Sequence, residues 1–323
     1  MKIKKGVSSG FTSLLLICLP LSSAQSFPPP SETSNKTPIN PEEKPVFLLA
    51  SLGDSLTAAS LADTSLTHPV VADRDKILDR SWKWENRKTL SWASGEKIKA
   101  HNEYLGDYLA QHGDTVDLDT LNVANPGNRA DDLENQAQKV VDKMESGDYQ
   151  ELTYITLLIG ANDACSDETE RGTPISDFKA SVHKALKKLS EIKQATPLRI
   201  LVSSIPKIAD LAVPEIRHRR VYPGLTCHDI RVKVFHECNP LLNWKTEEEH
   251  QQKNGVVKSF NDALKEVVAE AKQLYPNMTA VYSSALWDAQ ITAELLAVDC
   301  FHPNRDGQQL VSNQLWQDQP WFR

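Results

Sequence analysis

The sequence predicts an α/β fold: a mostly parallel sheet of five strands with helices on both faces. Three observations predict it. Five short apolar runs are spread along the chain, at Val46–Leu52, Leu121–Ala124, Tyr154–Ile159, Arg199–Ile205 and Thr279–Ala285. Segments of helical periodicity lie between or after them, and such alternation builds parallel sheets covered on both faces. Polar turns follow the first three runs at their carboxyl ends, where open α/β sheets hold their ligands.

The elements follow in chain order. Lys2, Lys4 and Lys5 precede an apolar stretch from Phe11 to Leu21, and Ser22-Ser23-Ala24 offers small residues for cleavage after Ala24. Residues 1–24 therefore read as a secretory signal, too short in their apolar part for a membrane span. Leu15-Leu16-Ile17-Cys18 hints at a lipoprotein signal, but the bulky Ile17 before the cysteine argues against it. Residues 25–45 are rich in Pro, Ser, Thr and charge and read as a flexible linker. Residues 46–323 then form one globular domain.

Within that domain the first strand ends at Gly53-Asp54-Ser55-Leu56. Residues 60–112 read as a long insertion carrying Trp82, Trp84, Trp92, Tyr104 and Tyr108. In Asp131–Met144, the residues Leu133, Ala137, Val140, Val141 and Met144 fall on one helical face. Phe178, Val182, Leu186, Leu189 and Ile192 do so in Ser176–Lys193. A second insertion, residues 206–254, holds Trp244 and a cysteine loop. Val256–Leu274 carries a stripe of Val257, Phe260, Leu264, Val267, Val268, Ala271 and Leu274, and Gln308–Trp316 reads as a last helix. Aromatic residues in the insertions either build a substrate pocket or pack the insertion onto the body.

The chain has 323 residues, 40% of them apolar, and a net charge of -7. Losing residues 1–24 removes three lysines and no acid, which takes the charge to -10. That balance argues against a nucleic-acid partner. The dense basic cluster Arg217-His218-Arg219-Arg220 reads as a solvated loop, with an anion site as the alternative.

Five cysteines are present, and Cys18 leaves with the signal. The other four suit disulfides in an exported protein. Cys227 and Cys238 close a short loop and form the natural first pair, leaving Cys165 for Cys300; four cysteines allow three connectivities. Cys227, His228, His236 and Cys238 are clustered, but their spacing matches no zinc motif, and no metal is expected.

Four distant segments carry chemistry. Ser55, just past a strand, either caps a helix or presents a nucleophilic hydroxyl. Asp299 and His302 stand three residues apart in Asp299-Cys300-Phe301-His302, a spacing that lets a carboxylate hold one imidazole nitrogen while the other faces a serine. Asn162, in Gly160-Ala161-Asn162-Asp163, can donate an amide hydrogen to an oxyanion or form an Asx turn. Gly127 can let a backbone N–H approach a substrate or simply make a turn. Together they supply a nucleophile, a base, an orienting carboxylate and oxyanion donors.

These segments, in this order, resemble the four blocks of the SGNH (GDSL) hydrolase superfamily. Its phospholipase B-like branch is the most similar: Ser91-Trp92-Ala93-Ser94-Gly95, Gly160-Ala161-Asn162-Asp163-Ala164-Cys165 and Asp132-Leu133-Glu134-Asn135-Gln136 all resemble it. Asn125-Pro126-Gly127-Asn128 departs from it, because the branch tends to have small residues there. The resemblance implies a flavodoxin-like three-layer α/β/α sandwich and a metal-free, cofactor-free esterase or lipase. It implies Ser55, Asp299 and His302 as catalytic residues. The oxyanion hole would be the N–H of Ser55, the N–H of Gly127 and the Asn162 side chain. The expected substrates are lipid acyl esters, met at most by transient contact with a membrane surface, and the expected location is secreted or periplasmic. A carbohydrate O-acetylesterase is the alternative reading. A catalytically silent binding protein is another, and it would normally lack a triad member.

Overall fold

The computed structural model of the chain describes residues 44–66, 87–166 and 172–323. The expected signal and most of the expected linker lie outside them, as do Trp82 and Trp84. The centre is a five-stranded sheet of β1 (Val46–Gly53), β2 (Asp117–Asn122), β3 (Glu151–Leu158), β4 (Leu198–Ser203) and β7 (Met278–Ser283). Its order is β2-β1-β3-β4-β7 and every pairing is parallel. Counting these five alone, the order is 2-1-3-4-5, the doubly wound flavodoxin-like arrangement. Two short strands, β5 (Arg220–Tyr222) and β6 (Leu225–Thr226), form a separate antiparallel hairpin.

Burial explains which strands the sequence announces. β1 and β3 are central and almost wholly buried, so they read as continuous apolar runs. β2 is an edge strand, with Asp117 and Asp119 exposed and Leu118 and Thr120 half-buried on the opposite face. It begins four residues before the apolar run that marks it, because its acidic residues face solvent, as edge strands favour.

Five long helices cover the sheet: α1 (His101–Gln111), α2 (Leu133–Glu145), α3 (Ile175–Leu189), α4 (Glu247–Leu274) and α5 (Arg305–Asp318). Helices α2, α3 and α4 pack side by side, and α5 packs against α1. Tyr154 of β3 meets the second group, its ring within 6.3 Å of His101, Trp316 and Phe322. Helix α1 lies inside the expected insertion. Its stripe is only His101, Leu105 and Leu109, with Gly106 between, too thin to read in sequence. Helix α4 starts nine residues before its apolar stripe. Thr246 Oγ1 accepts the N–H of Glu249, whose carboxylate accepts the N–H of Thr246, and Glu247–Glu249 suit the helix dipole. Of the described insertion aromatics, Trp92 is buried, where it also borders the cavity described below, and Tyr104 stacks on Trp316. Among the described residues no helix is long and apolar enough to cross a membrane.

The disulfide pairing expected from sequence is corrected. The bridges are Cys165–Cys238 and Cys227–Cys300, with Cα–Cα distances of 4.7 and 5.5 Å. Cys227 opens a helical turn, Cys227–Asp229, that runs into a π-helix, Ile230–Phe235, and Cys238 lies beyond its end. A helical rise over that span separates the two by on the order of 10 Å, more than a disulfide reaches.

Candidate active site

Every expected site residue stands at the carboxyl edge of the sheet. Ser55 follows β1, Gly127 follows β2 and Asn162 follows β3. β1 and β3 are neighbours, and the chain reverses its direction of travel across the sheet between them, which is where doubly wound sheets open a crevice.

The turn carrying Ser55 is irregular and not the start of a helix. Asp54 Oδ1 accepts the N–H of Leu56 at 2.9 Å, Ala58 donates to Asp54 O, and Ser60 donates to Ser55 O. Ala59 and Leu61 have φ near +56° and +57°, left-handed values that break helical continuation. Gly53 is obligatory before this turn. Its φ is +149°, and a Cβ there would lie 2.3 Å from Leu158 O.

His302 reaches the serine from the other end of the chain. Its Nε2 is 2.8 Å from Ser55 Oγ, and its Nδ1 is 2.5 Å from Asp299 Oδ2. The tautomer protonated on Nδ1 satisfies both contacts: Nδ1–H donates to the carboxylate and Nε2 accepts the serine hydroxyl. Asp299 Oδ1 accepts the N–H groups of Phe301 and His302, each at 3.0 Å. Burial alone pushes the Asp299 carboxyl up, but the charge and hydrogen bond of His302 and those two N–H groups outweigh it. The group is held below the ordinary carboxylate range. The loop is narrow at its base, where Leu296 bridges Pro303 and Ala297 donates to His302 O. Asn304 then caps α5 by accepting the N–H of Gly307.

The expected oxyanion donors are held as one group. Gly127 has a φ of +80°, the left-handed value that a glycine turn permits. Asn125 donates to Gly53 O, and Asn162 Nδ2 donates to Asn128 O at 2.8 Å. One amide hydrogen of Asn162 is thereby fixed, which orients the other. Asp163 accepts the N–H of Ala130 and ties the turns after β2 and β3 together. Burial pushes the Asp163 carboxyl up to about 6 and that of Asp54 up to about 7; the Leu56 N–H opposes the latter shift.

Two buried glutamines that sequence reasoning gave no role hold these loops. Gln136 of α2 accepts the N–H of Gly53 and donates to Gly53 O and Asn128 Oδ1. Gln308 of α5 donates to Leu56 O and accepts the N–H of Trp92. The available signal was a polar residue within an apolar helical face, as in Leu133-x-x-Gln136-Ala137.

Beside Ser55 and His302 lies a cavity of about 70 Å³. Among the described residues its lining is almost entirely apolar, and Leu56, Ala161, Phe301 and Pro303 within it directly adjoin Ser55, Asn162 and His302 in sequence. The arrangement can deprotonate a buried hydroxyl, present it to a carbonyl and receive an apolar substituent alongside. The cysteines once grouped with His228 and His236 as a zinc alternative are both disulfide-bonded.

The profile of the family described as GDSL-like Lipase/Acylhydrolase matches residues 49–315. The membrane-associated phospholipase B1 of Homo sapiens is 26% identical over 293 residues, covering 84% of this chain. The chain spans about a fifth, 19%, of that relative's length. Similar solved structures include LAE5, an alpha/beta hydrolase enzyme from the metagenome of Lake Arreo. It is 16% identical, with a TM-score of 0.45, covering 84% of this chain and 93% of that one. The extracellular lipase of Streptomyces rimosus is 13% identical, with a TM-score of 0.43, covering 85% of this chain and all of that one.

Proposed function

The chain belongs to the GDSL-like Lipase/Acylhydrolase family, and from that premise we propose that it is a secreted serine hydrolase of lipid acyl esters. The single observation that carries the reading is the contact of His302 Nε2 with Ser55 Oγ at 2.8 Å, backed by Asp299 on Nδ1.

The reaction is acyl transfer in two steps. His302 takes the hydroxyl proton as Ser55 attacks the ester carbonyl, and Asp299 stabilises the imidazolium. The N–H groups of Ser55 and Gly127 and the free amide hydrogen of Asn162 take up the oxyanion charge. His302 returns its proton to the leaving alcohol. Water, activated by the same base, then releases the acid.

The apolar cavity supports a lipid acyl group over an acetyl group. A site for one water-sized atom needs about 10–15 Å³. A cavity of about 70 Å³ therefore holds several heavy atoms, and its described walls are almost wholly apolar. The human relative is a phospholipase B, which agrees in direction. Two disulfides suit an oxidising compartment, with residues 1–24 as the export signal and 25–45 as a tether.

The test is hydrolysis of p-nitrophenyl esters from acetate to palmitate by the mature, oxidised protein, with Ser55→Ala as control. Ser55-dependent turnover that peaks at medium or long chains is the expected result. Turnover confined to acetate would transfer the assignment to a carbohydrate acetylesterase. A Ser55 inert to esters and to a fluorophosphonate probe would mark a silent binding protein.

A further inference from the structure

One short segment is covalently bonded to both halves of the site. Cys227 joins Cys300, which lies between Asp299 and His302 and itself holds a φ of +60°. Cys238 joins Cys165, three residues beyond Asn162. The stretch between the two cysteines is mostly the π-helix Ile230–Phe235, a rare backbone form that gathers at functional sites.

Arg231 sits within it, one turn past Cys227. It is 2% exposed, and its guanidinium donates to the carbonyl of Leu211, while its own carbonyl accepts the N–H of Glu237. Ile230 and Phe235 around it are core residues. A buried cation on a neutral carbonyl is a poor stabiliser, and an apolar residue would serve packing better. Asp299, wholly buried beside Cys300, is the anion that favours its charge, although no ion pair joins the two directly. Burial holds the guanidinium down to about 10, with Arg217 opposing its charge as well.

We propose that Arg231 is a positioning residue for the Ser55–His302–Asp299 relay, a buried counter-charge that the Cys227–Cys300 bridge holds in register with Asp299. The inference rests on the hydrolase reading above. A buried positive charge in this position adds to the His302 and backbone N–H contacts that keep the Asp299 carboxylate ionised. It also opposes protonation of His302, so the base remains free to lower pH. Other charged groups face the same pair: Arg217 and His228 beside Arg231, Asp54 facing His302, and Asp163 beyond Asp54. Among them, Arg231 is the buried cation with Asp299 in its field.

The test compares wild type, Arg231→Gln, Arg231→Met and Arg231→Lys. The glutamine can keep a hydrogen bond to Leu211 O without charge, and the lysine keeps the charge. Two readouts are taken: the pH dependence of kcat/KM on a p-nitrophenyl ester, and the NMR titration of the His302 imidazole. In the Gln and Met variants both are expected to move to higher pH by roughly one unit, the size of a partly screened buried charge. Arg231→Lys is expected to stay within a third of that shift. If Arg231→Gln titrates as wild type while folded, with both disulfides intact, Arg231 only packs and the proposal is overturned. The NMR titration needs no turnover. A silent Ser55 in wild type would therefore sink the hydrolase reading while the charge effect is still read.

Discussion

His302 Nε2 stands 2.8 Å from Ser55 Oγ across 247 residues of sequence. That contact is made by two loops at one edge of the sheet, each stapled from behind by a glutamine or a cap rather than by packing of its own. The chemistry follows from the pair, and it fails if either atom goes. Ser55→Ala is expected to lower kcat by about 10⁴-fold or more while leaving the melting temperature nearly unchanged. Steady-state kinetics and a thermal melt on the same preparation check this. Turnover near wild type would reject Ser55 as the nucleophile.

Asp299 acts through the tautomer of His302. Asp299→Asn would still accept the N–H groups of Phe301 and His302 on its oxygen, the bonds now made by Oδ1. Its amide would then face His302 Nδ1 and donate to it, forcing the proton onto Nε2, where it blocks the serine. A loss of about 10³–10⁴ in kcat is expected, with KM little changed. A decrease of less than tenfold would show that the carboxylate is not needed to set the tautomer.

Most of the fold was legible because the central strands are buried on both faces and cannot hide their apolar runs. The edge strand β2 could, since its acids point outward, and α4 began where a Thr246–Glu249 box, not a stripe, marked its start. The catalytic candidates were legible because each is a polar residue just after a strand or before a helix cap. What escaped was whatever depends on three-dimensional neighbours. Cys227 and Cys238 are close in sequence, yet a π-helix holds them apart and gives each to a different loop. Arg231 reads as one charged residue in an alternating Ile230-Arg231-Val232-Lys233 run, a surface-strand pattern that the helix abolishes. Gln136 and Gln308 look like flaws in apolar faces until the loops they hold are known.

The acyl cavity should set chain length. Ala289 lines it and is half-buried, so a larger side chain can enter from the wall without disturbing the sheet. Ala289→Phe is expected to lower the ratio of long-chain to acetate kcat/KM by about tenfold or more. Even one methylene in an apolar pocket is worth about 1–3 kcal/mol of discrimination, and a phenyl ring fills far more of the cavity. A chain-length series on p-nitrophenyl esters reads the ratio directly. An unchanged ratio would mean that the acyl chain lies elsewhere.

Two buried groups give the stability opposite pH slopes. Burial pushes Asp54 up to about 7 from 3.8, with Oδ2 lacking a partner. Its contribution is complete below pH 3.8 and is lost as pH rises through 7. Burial pushes His101 down to about 3 from 6.5, against the hydrogen bond to Ser312 O. Its contribution is complete above pH 6.5 and is lost as pH falls through 3. Between about pH 4 and 6.5 the two largely offset each other. Asp54→Asn keeps an oxygen for the Leu56 N–H and removes the first slope alone. At 1.36 kcal/mol per pH unit, the buried carboxylate costs up to about 4 kcal/mol at pH 8. The variant is therefore expected to melt several degrees above wild type at pH 8, to match it near pH 4, and to lose stability more steeply in acid. Thermal melts at pH 4, 6 and 8 test this, and a Tm difference that is the same at all three would show that Asp54 does not titrate in the folded protein.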